Sequence, residues 1–138
     1  MTEEIIIAGF GGQGVLSMGK ILAYSGIMQD QEVAWMPSYG PEMRGGTANV
    51  TVILSDERIS SPILTKYDTA IVLNQQCNPK VFNMIVLGGF LKVKPIVKLD
   101  NVEKGLQKSL PARHHKMIPM NIEAIQTGMN SVEVVNQL

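Results

Sequence analysis

The hydrophobic and polar positions of the first half of the chain predict a strand followed by a helix. Residues Glu4 to Ala8 form an apolar run without polar alternation, which is typical of a buried strand in a sheet covered by helices. Val15 to Met28 has apolar residues at helical spacing. One side of this helix carries Val15, Met18, Leu22 and Ser25. A glycine-rich stretch, GFGGQG, separates the two elements and predicts a tight turn.

Further apolar runs predict four more strands. The runs are Glu32 to Met36, Asn49 to Leu54, Ile59 to Leu64 and Tyr67 to Leu73. We expect Pro37 to stop the first run, and the second and third to pair as a hairpin around Ser55 to Arg58.

The remainder of the chain predicts helices at Lys80 to Lys92, Asp100 to Leu110 and Pro119 to Val135. Asp100 and Glu103 have the spacing of a capping box, and Pro119 suits a first helical turn. The elements together predict an α/β fold: a single-domain, three-layer sandwich around a mostly parallel, Rossmann-like central sheet, spanning residues 1–138.

Composition narrows the possible functions. The 138 residues include twelve basic and twelve acidic side chains, so no charge imbalance suggests a nucleic acid or an anionic membrane as partner. Cys77 is the only cysteine, which excludes a disulfide framework or a cysteine-held zinc or iron–sulfur site within this sequence. The first residues lack the pattern of a signal peptide and no apolar run has the length of a membrane span, so we expect a cytoplasmic protein.

The glycine turn raises the question of dinucleotide binding. Gly9, Gly11 and Gly14 have the spacing G-x-G-x-x-G between a predicted strand and a predicted helix. An NAD site normally needs an acidic residue at the end of the second strand, where this chain reads VAWMPSYG. Asp30 and Glu32 come too early and would lie at the wrong end of the sheet. We therefore expect no NAD site. The glycines serve either a tight turn alone or a turn whose backbone N–H groups bind a phosphate or carboxylate.

A second unusual stretch, PSYGPEMRGGTANV, covers residues 37–50. Its prolines and glycines predict a structured loop at the same sheet edge as the glycine turn. In one interpretation Arg44 pairs with Glu42 or water on the surface. In the other, Arg44 meets an anion and Tyr39 fills a pocket. The two stretches supply the candidate ligand- or partner-binding residues Gly9, Gly11, Gly12, Gln13, Gly14, Tyr39, Gly40, Pro41, Glu42, Arg44, Gly45 and Gly46. We assign no catalytic and no metal-binding residue.

The segments IIIAGFGGQGVLSMGKILA, WMPSYGPEMRGGTANVTVILSDERISSP and YDTAIVLNQ resemble the gamma subunit of the 2-oxoacid:ferredoxin oxidoreductases. This subunit corresponds to one domain of the single-chain pyruvate:ferredoxin oxidoreductases, and the likeness is strongest to the 2-oxoglutarate enzymes. The resemblance runs from about Glu4 to Gln75 and resumes in the C-terminal helices. Members of this family usually have an additional strand and helix at the position that residues 76–81 occupy in this chain. The chain either lacks this outer piece or is missing residues there.

The resemblance implies a multi-subunit enzyme that decarboxylates a 2-oxoacid on thiamine diphosphate and passes electrons through iron–sulfur clusters to ferredoxin, forming an acyl-coenzyme A. The chain has neither cluster cysteines nor a thiamine-diphosphate-binding stretch. Thiamine diphosphate, Mg and the clusters are therefore expected on partner subunits: a thiamine-diphosphate-binding chain, a 2-oxoacid-binding chain and a ferredoxin-like chain. No cofactor is expected to bind this chain alone, and contact with coenzyme A stays open. The alternative is a free-standing regulatory module that binds a phosphorylated ligand at the glycine turn.

Overall fold

In the computed structural model the chain folds into a mixed β-sheet with helices on it. The structure describes residues 1–10, 14–39, 47–73 and 82–133. Its elements are β1 (Thr2–Phe10), α1 (Val15–Met28), β2 (Glu32–Tyr39), β3 (Thr47–Ser55), β4 (Thr69–Val72), α2 (Phe82–Val93), α3 (Leu99–Ser109), a 3-10 helix (Ala112–Met117) and α4 (Ile118–Asn130). The predicted α/β class is confirmed, and α1 has the predicted bounds.

The strand directions differ from the prediction. The strands lie in the order β2-β3-β1-β4. β3 is antiparallel to both β1 and β2, and only β4 runs parallel to β1. The expectation of a mostly parallel sheet is therefore wrong. Residues 40–46 connect β2 to β3, and a connection of this length joins antiparallel neighbours, whereas parallel neighbours need a crossover of about a dozen residues or more.

Two predicted strand features are also wrong. β2 continues through Pro37, which lies opposite Val50. β2 is an edge strand, where a residue without an N–H group is tolerated because its nitrogen can face away from the ladder. Residues 59–64 form no strand. β3 has β1 on one side and β2 on the other, so no edge is left for the predicted hairpin partner.

The described helices cover one face of the sheet. The face toward them includes Ile5 and Ile7 of β1 and Val50, Val52 and Leu54 of β3, all fully buried. A Cβ placed on either of two α1 glycines, Gly19 or Gly26, would meet the side chain of Val50 or Leu54, so α1 lies directly on this face.

The opposite face of the sheet is less covered. On it, Ile6 is half-buried and Val72 is 74% exposed. The described residues thus provide two layers, and the third layer of the predicted sandwich is not among them.

Glycines allow the helices themselves to approach closely. A Cβ on Gly88 of α2 would overlap the carbonyl oxygen of Ile125 in α4, and one on Gly128 of α4 would overlap the carbonyl oxygen of Ile85. The backbones of α2 and α4 are therefore in direct contact. Gly105 of α3 has the same role against α1, because its Cβ would lie 2.7 Å from the Ser25 hydroxyl oxygen.

A polar contact replaces the predicted capping box of α3. The helix begins at Leu99 with Lys98 at its cap, and no side chain of the cap residue bonds to it. The side-chain oxygen of Gln29, after α1, instead accepts the Lys98 N–H at 2.5 Å and the Asn101 side-chain amide at 3.2 Å. A contact between distant parts of the chain has taken the place of the local cap, so that prediction was wrong.

The predictions for α4 have mixed outcomes. Pro119 lies in the first turn of α4, as predicted. The helix ends at Asn130, before the predicted end at Val135, which lies outside the described residues.

We predict that Gly88→Ala destabilises the chain and that Gly89→Ala does not. The methyl group at position 88 would overlap backbone, so α2 and α4 must separate, and overpacking of this kind costs about 2 kcal/mol or more. At position 89 the nearest atom is a Val132 methyl at 3.0 Å, which can shift. There the higher helix propensity of alanine raises the free energy of unfolding by at most about 1 kcal/mol. Urea denaturation of both variants measures the free energies of unfolding. Equal stability would contradict a backbone contact between α2 and α4.

Candidate functional site

The glycine turn connects the end of β1 to the start of α1. Gly9 is buried near the end of β1, and Gly14 is the residue that caps α1. Gly14 has φ +74° and ψ +24°, a left-handed conformation that favours glycine because other residues have a Cβ in the way. Its carbonyl oxygen accepts the Met18 N–H at 2.9 Å and so starts the helix. The predicted strand–turn–helix context of the glycine motif is confirmed at these two residues.

The N-terminus of α1 suits an anion. Its first turn holds no acidic side chain, and the cap residue makes no side-chain hydrogen bond to the helix. The positive end of the helix dipole is therefore not compensated by the helix's own side chains.

Asn83, near the start of α2, is a further residue at the turn. Its side-chain amide donates a hydrogen bond to the Gly14 carbonyl oxygen at 3.4 Å. A Cβ on Gly14 would displace this amide, and the left-handed backbone conformation is what requires glycine at the position. Asn83 is not among the predicted site residues. No local pattern marks it, because it reaches the turn only through the packing of α2.

The two candidate stretches meet at one edge of the sheet. Ala48 of β3 lies opposite Gly9 of β1 on one side and opposite Tyr39 of β2 on the other. Neighbouring strands are about 4.8 Å apart, so the end of β1 and the end of β2 are separated by a single strand. The expectation that both stretches leave the sheet at the same edge is confirmed for these residues.

Most of the predicted site residues lie outside the described part of the chain. They are Gly11, Gly12, Gln13, Gly40, Pro41, Glu42, Arg44, Gly45 and Gly46. For Tyr39 the backbone alone is described. Both interpretations of Arg44, the pair with Glu42 and the contact with an anion, stay predictions.

The acidic residues near β2 are far from the glycine turn. Glu32 lies opposite Ser55, at the end of the sheet where β1 begins at Thr2. This row is about 23 Å from the row of Gly9 and Ala48 at roughly 3.3 Å per residue. Asp30 precedes Glu32, with φ +60°. The prediction that these carboxylates lie at the wrong end of the sheet for a ribose is confirmed.

Two kinds of feature are absent from the described ranges. Residues 1–10, 14–39, 47–73 and 82–133 include no group of three or more His, Cys, Asp or Glu side chains that could hold a metal ion. No helix in these ranges has the length and apolar character needed to cross a membrane.

Two curated relatives are similar in sequence. The ketoisovalerate oxidoreductase subunit VorA of Methanothermobacter thermautotrophicus is 44% identical over 88 residues, covering 64% of this chain and 18% of that protein. The 2-oxoglutarate synthase subunit KorC of Methanocaldococcus jannaschii is 40% identical over 104 residues, covering 74% of this chain and 56% of that protein. The chain therefore spans about half the length of KorC and a smaller part of VorA.

Two solved structures share the fold. The gamma subunit of a keto/oxoacid ferredoxin oxidoreductase from Geobacter sulfurreducens superposes with a TM-score of 0.71 at 22% identity, covering 94% of this chain and 95% of that one. The 2-oxoglutarate:ferredoxin oxidoreductase from Magnetococcus marinus, with 2-oxoglutarate, coenzyme A and succinyl-CoA bound, gives 0.80 at 16% identity, covering 96% of this chain and 32% of that one.

A family model decides the assignment. The model described as pyruvate ferredoxin/flavodoxin oxidoreductase matches two segments, residues 4–78 and residues 75–131, which together contain both candidate stretches and all four helices. The chain thus belongs to the pyruvate ferredoxin/flavodoxin oxidoreductase family.

Proposed function

We propose that the chain is the gamma subunit of a multi-subunit 2-oxoacid:ferredoxin oxidoreductase, which converts a 2-oxoacid to an acyl-coenzyme A and reduces ferredoxin. The observation that carries this proposal is the single row formed by Gly9, Ala48 and Tyr39. It brings the glycine turn and the second motif to one sheet edge, inside the part of the chain that matches the family. The relatives' names support the same activity.

The substrate we favour is 2-oxoglutarate. Four relatives named KorC are 2-oxoglutarate synthase subunits, and their identities to this chain range from 37% to 40%. Two relatives named VorA are ketoisovalerate oxidoreductase subunits at 44% and 49% identity. A branched-chain 2-oxoacid is therefore the alternative substrate. In this proposal the substrate-binding pocket, which determines the specificity for one 2-oxoacid or the other, belongs to another subunit.

The chemistry is divided among subunits. Thiamine diphosphate, when bound to its partner subunit, supplies the carbanion chemistry. Iron–sulfur clusters on partner subunits carry the electrons. The partners are the thiamine-diphosphate-binding chain, the 2-oxoacid-binding chain and a ferredoxin-like chain, in the cytoplasm. The role of the present chain is to bind and orient, since we assign it no catalytic residue.

The glycine turn is the part of this chain that we place nearest the reaction. We expect the backbone N–H groups of Gly11 to Gly14 to bind an anion at the start of α1, where the helix dipole contributes about 0.3 to 1 kcal/mol at an exposed site. Arg44 can add a charge-assisted hydrogen bond. Coenzyme A carries phosphate groups of the required charge. The competing ligand for the same N–H groups is a carboxylate or carbonyl of a partner subunit.

We predict that the purified chain alone neither oxidises a 2-oxoacid nor binds NAD. The acidic residues that could hold a nicotinamide ribose lie at the far end of the sheet. Titration calorimetry with NAD measures the second expectation. A micromolar dissociation constant, about −8 kcal/mol of binding free energy, would contradict it and would favour a free-standing nucleotide-binding module.

We predict that Gly12→Asp in the assembled complex raises the Michaelis constant for coenzyme A about tenfold, a loss of about 1.4 kcal/mol, while assembly persists. The new carboxylate would repel the phosphates and block the N–H groups. Ile27→Asp is the matched control, because Ile27 is 48% exposed in the last turn of α1 and the substitution adds the same charge far from the glycine turn. Steady-state kinetics at varied coenzyme A concentration separates the cases. Loss of the complex with an unchanged Michaelis constant in what assembles would assign the turn to the subunit interface.

A further inference from the structure

Asn83 is the residue through which α2 contacts the start of α1. It is the second residue of α2 and lies 69 positions after Gly14 in the chain. Its side-chain amide donates to the Gly14 carbonyl oxygen at 3.4 Å, in a partly buried contact. The bond therefore joins the starts of two helices that are far apart in the sequence.

The bonded carbonyl belongs to the peptide unit that also carries the first N–H group of α1. This unit joins Gly14 to Val15, and because a peptide is planar and trans, its C=O and N–H point in opposite directions. The Gly14 oxygen accepts the Met18 N–H at 2.9 Å, so the C=O points into the helix. The Val15 N–H consequently points out of the start of the helix, where the first N–H groups have no partner within the helix. An anion bound before α1 would meet this N–H group.

The bond from Asn83 acts on the Val15 N–H in two ways. It holds the plane of the shared peptide unit, so the direction of the N–H is fixed before a ligand binds. It also makes the N–H a stronger donor, because hydrogen bonds in a chain polarise one another. Asn83 lies on a rigid support, since the backbone of α2 is in contact with the backbone of α4 at Gly88.

The electrostatics of the two helix starts favour an anion. Neither the first turn of α1 nor the first turn of α2 contains an acidic side chain. The bond between Asn83 and Gly14 brings the two starts together, so the positive ends of both helix dipoles lie at the same edge of the sheet. No carboxylate from either first turn would repel the ligand.

We propose that Asn83 is a positioning residue for the anion that binds at the glycine turn. In this role it orients the peptide unit between Gly14 and Val15 and does not touch the reacting atoms. The inference rests on the proposed function, which supplies two anions of the required chemistry, a phosphate of coenzyme A and a carboxylate of a partner subunit. Both would accept a hydrogen bond from the same N–H group.

Replacement of Asn83 by leucine tests this role in the assembled complex. Leucine has a similar size and a higher helix propensity, so Asn83→Leu removes the donor while α2 stays folded. Asn83→Gln keeps an amide and is the rescue variant. Asn121→Leu is the matched control, because the Asn121 amide donates to the Met117 carbonyl oxygen at 2.9 Å, at the start of α4. The control thus removes the same kind of bond from the start of a different helix.

The Michaelis constant for coenzyme A is the quantity that separates positioning from folding. For Asn83→Leu we expect it to rise about threefold to tenfold, the range for the loss of one hydrogen bond, with kcat unchanged. Asn83→Gln should stay near the wild-type value, and Asn121→Leu should leave the value unchanged. If the anion is a carboxylate of a partner subunit, Asn83→Leu weakens assembly by the same factor instead. Melting temperatures of the isolated chains should be similar for Asn83→Leu and Asn121→Leu.

The results that would overturn this inference differ from those that would reject the proposed function. If Asn83→Leu changes neither the Michaelis constant nor assembly in an active complex, Asn83 is not a positioning residue and the proposed function stands. An equal rise for Asn83→Leu and Asn121→Leu would assign the effect to a general loss of stability and would also reject the inference. A wild-type chain that forms no active complex with the other oxidoreductase subunits would reject both proposals.

Discussion

The burial of one face of the sheet beneath α1 is the interaction on which the rest of the structure depends. Ile5, Ile7, Val50, Val52 and Leu54 have no solvent exposure, and each buried aliphatic side chain of this size contributes about 1.5 to 3 kcal/mol. The helix can approach this closely because glycines, not larger residues, face Val50 and Leu54. With α1 held on the sheet, the helix begins at Val15, five residues after β1 ends at Phe10. The left-handed conformation of Gly14 provides the end of the glycine turn between them.

Close backbone contacts, hydrogen bonds and an ion pair hold the remaining helices against α1 and the sheet. The backbones of α2 and α4 touch at Gly88 and Gly128, and the start of α2 places Asn83 against the glycine turn. Beyond the other end of α2, Lys94 forms an ion pair with the buried Glu3 carboxylate at 2.6 Å. The same carboxylate accepts the Thr69 hydroxyl at 2.8 Å. The contacts at the two ends of α2 thus connect it to β1, to β4 and to the start of α1, so the candidate site depends on the position of α2.

The sequence predicted the features that depend on neighbouring residues. The bounds of α1 follow from its apolar spacing and the preceding glycine, and both the α/β class and the family resemblance are confirmed. Predictions that depend on distant contacts were less successful. Pro37 is tolerated only because β2 is an edge strand, and the direction of β3 and the cap of α3 are set by tertiary neighbours. Asn83 has no local signal at all. Residues 40–46 of the second motif, with Arg44 among them, lie outside the described part of the chain, so their roles stay predictions.

Reconstitution is the most direct test of the central claim that this chain completes a 2-oxoacid:ferredoxin oxidoreductase. The partner subunits are purified without it, and reduction of ferredoxin is followed with 2-oxoglutarate and coenzyme A, before and after the chain is added. We predict little activity before the addition and an increase that saturates at one copy of the chain for each thiamine-diphosphate-binding subunit. Full activity of the partner subunits without the chain, or no increase at any ratio, would contradict it.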